Sequence, residues 1–234
     1  MTMPFVETSV SRDIFKTIDL ARDLHKCAAI VGRPGVGKSH ALQEYTSQNA
    51  GTVMMTVTAV TGNALRDLFR ELADVLGVHA SGSIANMQRQ MLQYPFHSHV
   101  LIIDEAQNLK LQAFRELLNL WDFTGLCLVF AGNEEVLKRV STDKGAFAQI
   151  SRRVPLRAEV NSILDDDSDR IASAFGVEGM EAFKMLRHLG RAYHTAGIVS
   201  ILEIARRLAG DKTIRAEHVR RASEPLPHYR SAMK

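Results

Sequence analysis

At 234 residues the chain can bury a sizeable core, as one large domain or as a domain with a small appendage. Its 46% hydrophobic and 24% charged residues are those of an ordinary globular protein, with no apolar run of the ~18 residues a membrane span needs and no basic-then-apolar leader in MTMPFVETSVSRD, so the expected compartment is the cytoplasm. The net charge of +3 is unevenly spread: residues 206–234 hold eight Lys/Arg against three Asp/Glu, the balance of a surface facing an acidic partner, nucleic acid first, or of a solvated helical face.

In chain order, Phe5 and Val6 precede a helical stretch, SRDIFKTIDLARDLHK. Apolar runs of strand length follow at residues 27–32 (CAAIVG), 52–58 (TVMMTVT), 99–103 (HVLII), 126–131 (LCLVFA) and 154–158 (VPLRA). Between them SHALQEYTSQ, ALRDLFRELADVLG, SIANMQRQMLQ, LQAFRELLNLWD and NEEVLKRV have helical spacing. Strands that are apolar throughout and alternate with helices predict a parallel sheet covered on both faces. Beyond about residue 160 only helices are predicted, in SILDDDSDRIASAFG, EAFKMLRHLGRAYH, IVSILEIARRLAG and RAEHVRRASE. The expected organisation is an α/β domain over residues 1–160 and a helical lid over 161–234, with the DDD run at 165–167 marking a helix start. Cys27 and Cys127 both fall in apolar strands and read as buried free thiols; their spacing offers no metal site.

Residues 32–39, GRPGVGKS, match G-x-x-x-x-G-K-[ST] in full, after an apolar strand and at the opening of a helix. Gly32, Gly35 and Gly37 let the backbone curl so that its N–H groups, with those of Arg33, Pro34's neighbours and Val36, point inward at phosphate oxygens. The helix start near Lys38, Ser39 and His40 adds its positive dipole end. Lys38 is placed to reach the β- and γ-phosphates, and the Ser39 hydroxyl to ligate Mg²⁺.

An Mg²⁺–ATP site needs an acid near the metal, and LIIDEAQNL supplies two at the end of a buried strand. Asp104 is expected to hold Mg²⁺, directly or through water. Glu105 is expected to orient the attacking water or accept its proton, unless it merely faces solvent. Asn133, just past the fourth strand, can touch the γ-phosphate, cap the following helix, or do both. Arg152 and Arg153 precede the last strand, where an arginine can reach a neighbouring subunit's nucleotide or form an ordinary salt-bridging pair.

The set GRPGVGKS, LIIDEAQNL, VFAGN and SRR, followed by a helical lid, resembles the AAA+ ATPases over nearly the whole chain. Within them DEAQNL and FRELLNLWDFTGLCLVFAGNEEV are similar to the transposition regulators of the phage Mu protein B and TnsC/TniB type. The resemblance implies a five-stranded parallel sheet with a C-terminal helical lid, and ATP hydrolysis with Mg²⁺. It also implies sequence-independent binding of duplex DNA, head-to-tail self-assembly into filaments, and stimulation of a transposase. By residue it assigns Gly32–Ser39 to phosphates, Asp104 to Mg²⁺, Glu105 to hydrolysis, Asn133 to γ-phosphate sensing and Arg152 or Arg153 to a trans arginine finger. Phe5 and Val6 match the segment beside adenine.

DNA phosphates would meet Thr61, Asn63, Arg66 and Arg70 after the second strand, with Arg89 and Lys110 on the same surface. Arg66 and Arg70 are equally well explained by pairing with Asp67 or Glu71. Arg215, Arg220 and Arg221 form a rival DNA or transposase surface. Two features depart from the family. Ser200 in GIVSILEIARR stands where a lid arginine is expected, and with the ATPase core starting near residue 5 any DNA binding is expected to come from the core or lid and not from an N-terminal helix-turn-helix appendage. A helicase loader, or a protein-remodelling ATPase of the ExeA type, is the competing expectation.

Overall fold

A computed structural model of the chain describes residues 5–97, 99–141 and 148–230. The described residues form two compact units, one built from Ile14–Gly32 and Ser39–Glu159, the other drawing on Met1–Asp13, Arg33–Lys38 and Val160–Lys234.

The larger unit carries a five-stranded parallel sheet. Its strands are β1 (Ala28–Val31), β2 (Thr52–Thr56), β3 (Val100–Asp104), β4 (Cys127–Gly132) and β5 (Leu156–Glu159), in the order β2-β3-β4-β1-β5. The expected five-stranded α/β arrangement is therefore present. β1 lies between β4 and β5, with Ala28 opposite Val129 and Leu156. Every residue of β1, β3 and β4 is buried, which explains why these strands read as unbroken apolar runs.

α1 (Ser9–Asp23) leads into β1, and the crossovers between strands are α2 (Lys38–Gln48), α3 (Leu65–Leu76), α4 (Ile84–Met91), α5 (Leu111–Thr124), α6 (Glu134–Ser141) and α7 (Ala148–Arg153). Alternate strand residues sort by face: Leu101, Ile103, Leu128 and Phe130 join Phe69 and Leu72 of α3 and Phe114 and Leu117 of α5 in one core. Phe114 and Phe130 stack there with centroids 4.6 Å apart. The six-residue α7 was not expected from the sequence; it is too short to show a helical period.

The second unit is helical: α8 (Asp165–Ala174), α9 (Met180–Ala209), α10 (Ala216–Ser223) and α11 (Pro227–Arg230). α8 begins on the DDD run, and its third acid, Asp167, is fully buried. That carboxylate accepts from the backbone N–H of Leu164 at 2.8 Å and of Ser9 at 2.6 Å, and from the Ser9 hydroxyl. It thus closes the first turn of α8 and ties the N-terminal segment to it. Asp169 takes a bidentate pair from Arg187, with bonds of 2.7 and 2.6 Å, which fastens α8 to α9.

α9 is broken at His194, whose φ of 57° and ψ of −157° leave the helical region. The two helices expected on either side of this point are therefore present, run together across a kink. His194 is 7% exposed, and among the described residues its Nδ1 has no hydrogen-bond partner. Burial, then the nearby Arg33 and Lys38 cations, hold its pKa below the ordinary histidine value of 6.5.

Two predictions follow from this unit. Asp167→Ala strands buried N–H donors and should cost about 1–3 kcal/mol in denaturant unfolding, with Asp167→Asn milder. His194 binds a proton less readily when folded than when unfolded. Its contribution is therefore complete above about pH 6.5 and is lost as pH falls below it towards the lowered folded value. Urea unfolding at pH 7.5 and 5.5 should show this acid loss in the parent and a smaller one in His194→Asn, whose side chain does not titrate.

Candidate active site

Because the strands are parallel, their C-terminal ends share one edge of the sheet, and ligands of open α/β sheets bind there. β1 ends at Val31 and passes into Gly32, whose N–H donates to the Gly132 carbonyl at 3.2 Å, so β1 and β4 stay paired to their ends. β3 ends on Asp104 and β4 on Gly132, immediately before Asn133.

Asp104 is 3% exposed and held from two sides. Its Oδ2 accepts from the Ser39 hydroxyl at 2.6 Å and its Oδ1 from the Glu105 N–H at 2.9 Å. The two residues expected to share a metal are thus in direct contact across 65 positions of sequence. Two adjacent oxygens suit a hard cation such as Mg²⁺, which keeps waters and takes further oxygens from substrate phosphates. Among the described residues no cluster of three or more His, Cys, Asp or Glu offers an all-protein metal cage.

Glu105 occupies the left-handed region, φ 56° and ψ 35°, and precedes a 3₁₀ turn at Ala106–Asn108. The Gln107 side-chain amide donates to Glu105 Oε2 through its nitrogen. Its oxygen accepts from the Asn133 N–H at 3.3 Å. Asn133 Oδ1 in turn accepts from the Glu135 N–H at 2.9 Å, so Asn133 caps α6, one of the two roles the sequence allowed. Gln107 was missed by sequence reasoning; its neighbours lie on separate elements and only the fold brings them together.

The loop residues Arg33–Lys38 belong to the helical unit. Gly35 and Gly37 have φ of 80° and 104°, the conformation for which glycine was expected. The Ala196 N–H donates to the Gly35 carbonyl at 2.9 Å and the Thr195 hydroxyl to the Val36 carbonyl at 3.1 Å. A Cβ at Gly35 would sit 3.1 Å from that of Ala196. The restarted half of α9 therefore grips the loop by its carbonyls, which leaves the loop N–H groups for an anion. Lys38 Nζ donates to the Arg33 carbonyl at 2.9 Å. Arg33, Pro34, Gly35 and His40 are exposed, and Phe5 and Val6 are half-buried.

The paired arginines separate clearly. Arg153 bonds Asp122 at 2.8 Å and is half-buried. Arg152 is exposed, and among the described residues it has no ion pair.

Of the expected DNA-facing residues, Thr61 exchanges hydrogen bonds with Thr58, each backbone N–H donating to the other's hydroxyl at 3.0 and 3.1 Å. The Lys110 N–H donates to the Gly62 carbonyl at 3.3 Å, so Lys110 and the Thr61 turn adjoin. A Cβ at Gly62 would stand 2.2 Å from the Asn108 carbonyl oxygen, a closeness only glycine permits. Arg66 bonds the Gly82 carbonyl at 3.2 Å, Arg70 pairs with Asp67 at 3.5 Å, and Arg89 meets Asn86 at 3.4 Å. All four cations are exposed. The Asn63 side chain lies outside the described residues.

Comparison with known proteins matches residues 21–140, more than half of the chain, to the AAA domain family. The chain is 28% identical over 193 residues to the Mu-like prophage FluMu DNA transposition protein B of Haemophilus influenzae, covering 79% of this chain. It is 29% identical over 211 residues to the ATP-dependent target DNA activator B of Escherichia phage Mu, covering 88%. It spans 66% of the length of each relative. In backbone it resembles the Aeropyrum pernix ORC2 protein, with a TM-score of 0.70 at 11% identity over 92% of this chain and 66% of that one. A Walker-type ATPase of Pyrococcus abyssi gives 0.62 at 14% identity, over 92% of this chain and 70% of the other. These two likenesses concern the fold. Family match, sheet order and loop agree, and the chain belongs to the AAA domain family.

Proposed function

We propose that the chain is an Mg²⁺-dependent ATPase that binds duplex DNA without reading its sequence, assembles on it head to tail, and regulates the target choice and activity of a transposase. The observation that carries the ATPase reading is Asp104, buried at a strand end and bonded at once to the loop's Ser39 and to Glu105. The likeness to target DNA activator B supports the transposition reading.

In this mechanism the loop N–H groups between Arg33 and Ser39, Pro34 having none, hold the phosphates, and Lys38 leaves its loop carbonyl for their oxygens. Ser39 and Asp104 are the residues that would hold Mg²⁺, which when bound would supply neutralisation of phosphate charge. Glu105 orients the attacking water and accepts its proton. Asn133 keeps its backbone on Gln107 while its side chain, the α6 cap, lies beside the strand end where the γ-phosphate is expected. Arg152, exposed and without an ion pair among the described residues, is the better trans finger, since Arg153 would first have to leave Asp122. A subunit that offers its nucleotide to the next subunit's arginine makes a heterologous interface, which yields rings or open helices. Thr61, Asn63, Lys110, Arg66, Arg70 and Arg89 supply phosphate contacts, and helix–residue pairing such as Arg70–Asp67 must yield when DNA binds. Ser200 in place of a lid arginine fits slow turnover and a long-lived ATP-bound assembly.

Glu105→Gln should leave ATP binding intact while lowering kcat by ~10²–10⁴-fold, as expected for loss of a general base. Lys38→Ala should remove ATP binding and assembly together. A matching loss of ATP affinity in both variants would count against the role given to Glu105. With an ATP analogue and plasmid, electron microscopy should show coated duplex. The log of affinity should fall linearly with the log of salt, by ~0.9 for each phosphate neutralised. Protein that leaves duplex bare at low salt would end the DNA reading.

A further inference from the structure

Among the described residues the Gln107 amide is the side chain that joins the Glu105 carboxylate to the end of β4. Its nitrogen donates to Glu105 Oε2 while its oxygen accepts from the Asn133 N–H at 3.3 Å. The space for this bridge is made by Gly132, where a Cβ would fall 2.2 Å from Gln107 Oε1 and 2.8 Å from Val136 Cγ2. Gly132 is glycine for room, since it is not among the glycines of positive φ. Nearby, Asn108 Nδ2 donates to the Val57 carbonyl at 2.8 Å, so the turn bearing Gln107 is itself anchored to the segment after β2.

We infer that Gln107 is a positioning residue for ATP hydrolysis, holding Glu105 in fixed register with Asn133 so that the water-activating group and the γ-phosphate contact act as one unit. This rests on the ATPase reading above. The chemistry favours an amide at this place. It presents one donor and one acceptor a fixed distance apart, and both are used. A glutamate would offer Glu105 a second carboxylate, and an asparagine is one methylene short. The bond takes one carboxylate oxygen of Glu105 and leaves the other for water. It also opposes the strain of holding a non-glycine residue at positive φ, so without it the carboxylate loses its aim.

The test compares ATP turnover, affinity for a fluorescent ATP analogue and melting temperature in the parent, Glu105→Gln, Gln107→Ala, Gln107→Glu and the Glu105→Gln/Gln107→Ala double variant. Both Gln107 variants should lose ~10–100-fold in kcat, the usual cost of losing a partner that orients a reacting group, with ATP affinity unchanged. The double variant should be no slower than Glu105→Gln alone, because Gln107 acts through Glu105. Gln107→Glu keeps length and volume, so it reads the donor and not a cavity. Turnover in both Gln107 variants within about twofold of the parent, or a double variant slowed by the product of the single losses, overturns the inference and leaves the ATPase reading standing. Loss of ATP affinity in step with kcat makes Gln107 a structural residue and overturns it too. A parent without turnover, or Glu105→Gln at the parent's rate, overturns both readings.

Discussion

Parallel pairing of β3, β4 and β1 is the constraint on which the rest depends. Parallel strands all finish at the same edge, so Asp104, Gly132 and Gly32 arrive together although they are spread over a hundred positions of chain. Each return to the start of a new strand needs a crossover, and the helices that provide it cover the sheet faces. Burial on both faces removes water from the strands and leaves polar chemistry only where they stop. Asp104 is the point at which a fully apolar strand turns into a reactive one.

At that edge, side chains turn strand ends into fixed geometry. Asp104 has both oxygens engaged, and Gln107 has both ends of its amide engaged. A buried polar group with a single partner can swing about it, whereas one with two partners on different elements has its direction set by the fold. The close approaches at Gly62 and Gly132 serve the same end, since each lets a hydrogen-bonding atom come nearer to backbone than any Cβ would allow.

Much of this was legible in the sequence. Unbroken apolar runs such as CAAIVG and LCLVFAG locate buried parallel strands, and GRPGVGKS locates its own loop, because both signals are local and their physics is contained in a few residues. Asp104 and Glu105 could be found by their place at a strand end. What could not be read were relations between elements. That Arg153 and not Arg152 pairs with Asp122 depends on how α7 lies against α5. The two hydrogen bonds of the Gln107 amide depend on β3 and β4 being neighbours. The kink at His194 is marked by no proline or glycine at that position, so the sequence predicts two helices there but not the sharpness of their junction.

Among the described residues three without glycine's freedom have positive φ, namely His25, Glu105 and His194. The first follows a helix end, where a left-handed residue is ordinary. At Glu105 the backbone alone would be better served by glycine or asparagine, and at His194, whose ψ lies far from the left-handed helical region, by glycine. In both places the chain keeps a larger side chain instead. If, on the proposed ATPase reading, a descendant of this chain no longer needed to turn over nucleotide, position 105 is where relaxation towards glycine or asparagine would raise stability at once. Drift there would be an early mark of a copy that has kept its fold and given up its chemistry.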